Sequence, residues 1–181
     1  MKPFIGIKRI WYGAPLATAP TRSKISEIVA GMTEVKNSHD GTWSYTQDDP
    51  SVTDYINELS GKPYYRDMQS AGNKTIAFTL GVYEFADRVA LQGGSVIEET
   101  AGEGKKVVGW SSPTNPELKY ASIVAMTKTG NFIIFTNAGI VAKTNAAEKN
   151  LGLGVTAVAM DNADMTISDE YLFDGEGITL A

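Results

Sequence analysis

The sequence predicts a mostly-β protein: an antiparallel β-sandwich or barrel with a single flanking α-helix at about 82–92 and a long hairpin-like loop over 37–73. Three observations predict it. From Lys74 to Met160 the chain falls into short apolar or alternating blocks, KTIAFTLG, KKVVGW, ASIVAMTK, NFIIFTN, AGIVAKTN and GLGVTAVAM, each about the length of a strand. Within that stretch only VYEFADRVALQ has helical spacing. There are 18 glycines and only 20% of residues are charged, which suits a sheet with tight turns rather than a disordered chain.

Taken in order, FIGIKRI (Phe4 to Ile10) alternates as a strand. Residues 11–27 hold two prolines among small and polar residues and read as an extended arm or loop. IVAGMTEVK (Ile28 to Lys36) reads as the next strand, bulged at Gly31. Residues 37–73 carry the turn signals Asp40-Gly41, Asp49-Pro50, Gly61-Lys62-Pro63 and Ala71-Gly72-Asn73. Between them TWSYTQ can pair as a strand. SVTDYINEL fits either a short helix capped by Ser51 or the strand of a long hairpin, and the hairpin is preferred.

The helix at 82–92 places Val82, Phe85, Ala86 and Val89 on one face, with Glu84 and Arg88 paired on the wet side and Gly93 as its left-handed stop. SVIEE and KKVVGW flank Gly102-Glu103-Gly104, a hairpin tip. Thr129-Gly130-Asn131 marks another hairpin, and Asn137-Ala138-Gly139 a turn or a bend within a continuing strand. GLGVTAVAM closes the sheet, and the acidic residues 161–181 read as a second arm.

At 181 residues, a single domain spanning 1–181 with arms at 11–27 and 161–181 is expected, large enough to bury a core without metal or disulfide. There is no cysteine, which excludes disulfides, thiolate metal sites and a cysteine nucleophile and suits a reducing compartment. No apolar run has the length of a signal peptide or a membrane span, so a soluble, cytoplasmically made protein with no membrane partner is expected. The net charge of −5 argues against sequence-specific DNA binding and suits a surface past which DNA slides.

No motif supplies catalysis. Ser38-His39-Asp40 has the letters of a hydrolytic triad, but three consecutive loop residues do not converge in triad geometry. Gly102-Glu103-Gly104-Lys105-Lys106 departs from a phosphate-binding loop at Glu99 and Lys106. Asp48, Asp49, Asp54 and Glu58, and likewise Asp161, Asn162 and Asp164, lack the spacing of a cation loop and read as solvated acidic segments. No catalytic residue, cofactor or metal is expected. Trp43, Tyr45, Tyr55, Tyr64 and Tyr65 crowd the 37–73 segment. They pack either on their own core or on a neighbouring subunit, and are the candidate interface residues.

The order of these parts resembles the tail tube proteins of long-tailed bacteriophages. The resemblance spans nearly the whole chain: FIGIKRIWYGAPL, then IVAGMTEVK leading into the long acidic loop, then KTIAFTLGVYEFADRVALQGGSVI, then the β-rich half ending FIIFTNAGIVAKTN and LGLGVTAVAMD. DDPSVTDYINELSGKPYYRD and the helix ending LQGG carry it most. It implies a non-enzymatic structural subunit of a virion tail, made in the host bacterial cytoplasm, that forms stacked, hexameric rings. DNA then leaves through the lumen without sequence-specific binding. Implied partners are further copies of itself and other tail proteins such as tape measure, tail terminator or sheath. Sheet edges would pair between subunits, and residues 37–73 would reach the next ring. The tube of a contractile injection system shares the plan. A β-barrel module for a small apolar ligand and a metal-assisted hydrolase are the competing readings.

Overall fold

The structure, a computed structural model, describes residues 2–101, 104–147 and 149–180. The elements are β1 (Arg9–Gly13), α1 (Ile25–Ala30), β2 (Thr33–Glu34), β3 (Ser44–Gln47), β4 (Ser51–Ile56), β5 (Pro63–Ser70), β6 (Lys74–Leu80), α2 (Phe85–Gln92), β7 (Ser95–Ala101), β8 (Gly104–Ser111), β9 (Lys119–Met126), β10 (Phe132–Ala147), β11 (Asn150–Ala159) and β12 (Glu170–Phe173). The protein is mostly β and antiparallel, as the alternating blocks predict.

The principal sheet runs β2-β1-β9-β10-β11-β6-β3, with β12 paired to the first part of β10. It curls. Ile10 and Ile123 from one end meet Ile76, Phe78 and Val155 from the other in a single buried cluster, with Phe135 among them. Burying a side chain the size of Phe135 contributes roughly 1.5–3 kcal/mol. The curl stops short of a closed barrel. Its end strands β2 and β3 do not pair, and residues 35–43 fill the gap: the Val35 amide donates to the Ile10 carbonyl and Ser38 bridges to Leu80.

One irregularity makes the curl compatible with a continuous core. In β10, Ile133 and Phe135 face the main cluster, and so do Ala138 and Ile140. An odd-numbered and an even-numbered set share a face because the pairing with β9 shifts register between Phe135 and Ala138. This is the predicted bend at Asn137. The opposite face carries a second cluster, Trp11, Val124, Met126, Phe132 and Ile134. It is covered by Ile25 and Val29 of α1 and by Tyr171, Phe173, Ile178 and Leu180 of the C-terminal segment.

The helix count needs correction: among the described residues there are two short α-helices, not one. Ile25, Ile28 and Val29 recur at i, i+3 and i+4, so the segment expected to be an arm and a strand folds as α1, and only Thr33–Glu34 is extended. The β-branched side chains suggested a strand, but the spacing of the face against Trp11 and Val124 decided. The predicted helix at 82–92 begins at Phe85. A capping box joins Glu84 and Asp87 at its N-terminus. Its predicted face is also corrected. Leu91 is the buried residue, Val82 is exposed outside the helix, and Glu84 lies 3.6 Å from Lys36 instead of pairing with Arg88. The Arg88 guanidinium stacks on Trp110 at 3.9 Å and donates to Gln92, Tyr83 and Thr144. Gly93 stops the helix with φ 87.

The described residues also form two two-stranded ribbons. β7 pairs with β8, with residues 102 and 103 of the predicted tip lying outside the described residues. β4 pairs with β5, so Ser51–Ile56 is the strand of a long hairpin and not a helix. No helix among the described residues is long and apolar enough to cross a membrane.

Candidate functional site

The β4–β5 ribbon is an outgrowth of the main sheet. The β3–β6 ladder ends at Gln47 opposite Lys74, the Asp48 amide donates to the Asn73 carbonyl at 2.9 Å, and pairing resumes at Ser51 opposite Ser70 and reaches Ile56 opposite Pro63. At the root Gly72 has φ 80, a conformation that favours glycine. At the tip the Asn57 amide donates to Lys62 and the Gly61 amide to Asn57, both at 2.8 Å. At about 3.3 Å per residue, the ribbon carries its tip roughly 25–30 Å beyond the end of β3.

Every residue of its two strands is exposed except Asp67, which is half-buried. Many of the exposed side chains are large and apolar. Val52 pairs across the ribbon with Met68 and Asp54 with Arg66, and Tyr64 is the extra residue of a bulge between the Tyr55–Tyr65 and Ile56–Pro63 pairs. The Arg66 guanidinium grips Asp54 with two hydrogen bonds, of 2.5 and 2.8 Å, which holds that carboxyl below its ordinary value. Tyr55 and Tyr65 are directly opposed on the other side, with ring centroids 5.7 Å apart. Leu59 at the tip is 97% exposed. A two-stranded ribbon of this length is marginally stable by itself in water, and contiguous exposed apolar surface marks an interaction site.

The five aromatic candidates therefore divide. Tyr55, Tyr64 and Tyr65 stand on the ribbon. Trp43 lies before β3 and packs, half-buried, against the main core. Tyr45 sits in β3, its ring 6.3 Å from Phe135 and its hydroxyl donating to Glu170 at 2.7 Å. Burial first, and then the Glu170 carboxylate, push its phenol well above the ordinary value. The same corner holds Lys74, whose ammonium lies 2.9 Å from Asp169 and 3.4 Å from Glu170 and fastens the C-terminal segment to β6. Sequence reasoning missed Val52, Ile56, Leu59 and Met68. The alternation in SVTDYI and PYYRDMQS was visible, but not that both faces of this hairpin stand in solvent.

The motifs without catalytic geometry have structural employment. The His39 amide donates to Thr79 at 2.7 Å, and the Thr42 hydroxyl caps the His39 carbonyl. No hydrogen bond of the described residues joins the side chains of Ser38, His39 and Asp40. Asp164 receives the Thr166 amide and hydroxyl, and Asn162 receives the Asp164 amide. Among the described residues no three histidine or carboxylate side chains gather in a metal-binding arrangement.

A cleft lies at the other end of β3, between residues 6–10 and 35–43. It measures about 380 Å³. Its half-buried apolar lining is Ile7, Val35 and Trp43, and the exposed Lys8, Lys36, Lys128 and Asp40 form its rim. Arg9 belongs to it but is neutralised by Glu34 at 2.6 and 2.7 Å. No protein-family model and no curated protein matches the chain.

Proposed function

We propose that this chain is the tube subunit of a phage tail, a structural protein that assembles into stacked, hexameric rings through which DNA passes. The observation that carries the proposal is the ribbon of residues 48–71, standing off the body with Val52, Ile56, Leu59, Tyr64 and Met68 in solvent. A chain that keeps such a surface needs a partner to cover it, and the plan resembling tail tube proteins supplies one: the subunit in the next ring. Further support comes from the interior of the curled sheet, which is filled by Ile76, Phe78, Ile123, Phe135 and Leu153, favouring assembly over a small-ligand barrel. The net charge of −5 suits a conduit to which DNA must not adhere. The remaining partners on this reading are tape measure, terminator and, in a contractile tail, sheath proteins.

The ends of the principal sheet, β2 and β3, lie side by side across residues 35–43. Contacts around a ring therefore fall to the two ribbons and the flanks of the body, and not to opposite edges of that sheet. Electron microscopy of the concentrated, purified chain tests the proposal, alongside a variant in which 51–70 is replaced by Asn-Gly. Rings or tubes are expected from the full chain. The excised variant should stay folded, with a melting temperature within a few degrees, and not stack. A full chain that remains monomeric at every concentration refutes the proposal.

A further inference from the structure

We infer that the cleft between residues 6–10 and 35–43 is the socket that receives the β4–β5 tip of a second copy of this chain. The inference rests on the tube-subunit reading and names the receiving surface, which that reading leaves open.

Three observations select this occupant. The first is charge. Lys8 and Lys128 have no carboxylate within ion-pair distance among the described residues, and Lys36 has a solvent-exposed one, Glu84 at 3.6 Å. The ribbon is acidic: Asp48, Asp49, Asp54, Glu58 and Asp67 against Lys62 and Arg66. Since Arg66 is spent on Asp54, Glu58 next to the tip leucine is a carboxylate left to be met. The second is apolar fit. Leu59 is almost wholly in water, and the cleft lining of Ile7, Val35 and Trp43 is half-buried apolar surface continuous with the core. Seating one leucine side chain there removes apolar area on both partners.

The third is placement. The cleft adjoins the residue before β3, whereas the ribbon leaves from the residue after it. Measured along β3 and then the ribbon, the tip lies roughly 40 Å from its own socket and does not occupy it. Plug and socket at opposite ends of the β3–β4 segment make a heterologous, head-to-tail contact, which propagates along an axis instead of closing into a pair. The basic rim steers the acidic tip and sets its orientation, and the leucine supplies the anchor.

The chain has no cysteine, so a cross-link reports the contact directly. Leu59→Cys combined with Gly41→Cys in the full chain, concentrated and mildly oxidised, should give a ladder of covalent multimers. Either single variant should stop at dimers or below. A side-chain carbon added at Gly41 would meet nothing within 4 Å, so the substitution has room, although the φ of 73 adds some strain. In parallel, Lys8→Glu with Lys128→Glu should raise the concentration needed for assembly about tenfold or more. Adding Glu58→Lys to that variant should restore much of it. Tubes that form without the ladder, and assembly indifferent to the charge reversals, overturn the socket while leaving the tube reading standing. Absence of any assembly by the unaltered chain overturns both.

Discussion

Tyr12 shows how single residues bind separate elements. Its ring is buried in β1 beneath α2, and its hydroxyl donates to Asp87 at 2.6 Å. The other oxygen of Asp87 accepts the Glu84 amide at 3.0 Å, so one carboxylate caps the helix and ties it to the sheet. Burial first, and then this hydrogen bond, push the Tyr12 phenol well above its ordinary value. A raised value means that the stabilisation is complete below about pH 10, where the unfolded phenol titrates, and drains away as pH rises through the folded value. Tyr12→Phe should lower stability by about 1.5–3 kcal/mol at neutral pH, the usual worth of a hydrogen bond to a charged group. It should also flatten the decline in stability above pH 10. Denaturant titration at pH 7 and at pH 10.5 measures both; an unchanged alkaline slope counts against the Tyr12–Asp87 bond. Arg88, the residue after Asp87, does comparable work by stacking on Trp110 and reaching Thr144, which fixes the base of the β7–β8 ribbon against β10.

At the scale of elements, the extra residue in β10 matters most. Without it Ala138 and Ile140 would turn outward, because side chains alternate strictly along a strand. Deleting Asn137 should therefore abolish the cooperative thermal transition, whereas Asn137→Gly, which keeps the residue count, should retain it. Circular dichroism during heating distinguishes the two. Retention of a native-like transition in the deletion would mean that β11 can re-register on its own. Helix placement was partly legible from sequence. The stop at Gly93 lies where local chemistry puts it, whereas the capping pair Glu84 and Asp87 went unread and the helix was expected to start three residues early. The face of α2 was not legible, because its inward stripe includes Asp87 and Arg88, polar residues satisfied by Tyr12 and Thr144 from other parts of the fold and by Tyr83 just before the helix. α1 was misread because six residues rich in isoleucine and valine carry little local preference, and only the apolar cover they provide over Trp11, Val124 and Ile134 makes them helical.

For the molecule as a whole, the body is locked from several sides while the ribbon is not. Asn131 receives the Gly175 amide and donates to the Lys2 carbonyl, Asn162 donates to Leu16, and Arg22 donates to the carbonyls of Asp174 and Glu176. Both terminal regions are thereby held to the body. Limited proteolysis of the dilute chain should cut first within 48–71, and the two resulting fragments should stay associated through β3, β6 and the core. Assembled material should resist that cut. Equal protection of 48–71 in both states would remove its role as a contact ordered by stacking.

The sequence by itself determined the antiparallel β class and the hairpin at Gly130, favoured a long hairpin over a helix at Ser51–Ile56, and marked a turn or bend at Asn137. Each follows from local alternation and turn chemistry, which act over a few residues. The tertiary structure decided which side chains remain uncovered. Val52, Leu59 and Met68 look no different in sequence from Ile76 or Phe78, and only the direction in which β3 continues past Gln47 carries them away from the core. It also brought Lys8, Lys36 and Lys128 to one rim, because those residues are far apart in the chain and are joined only by the ladder between β1 and β9 and by the closing segment 35–43.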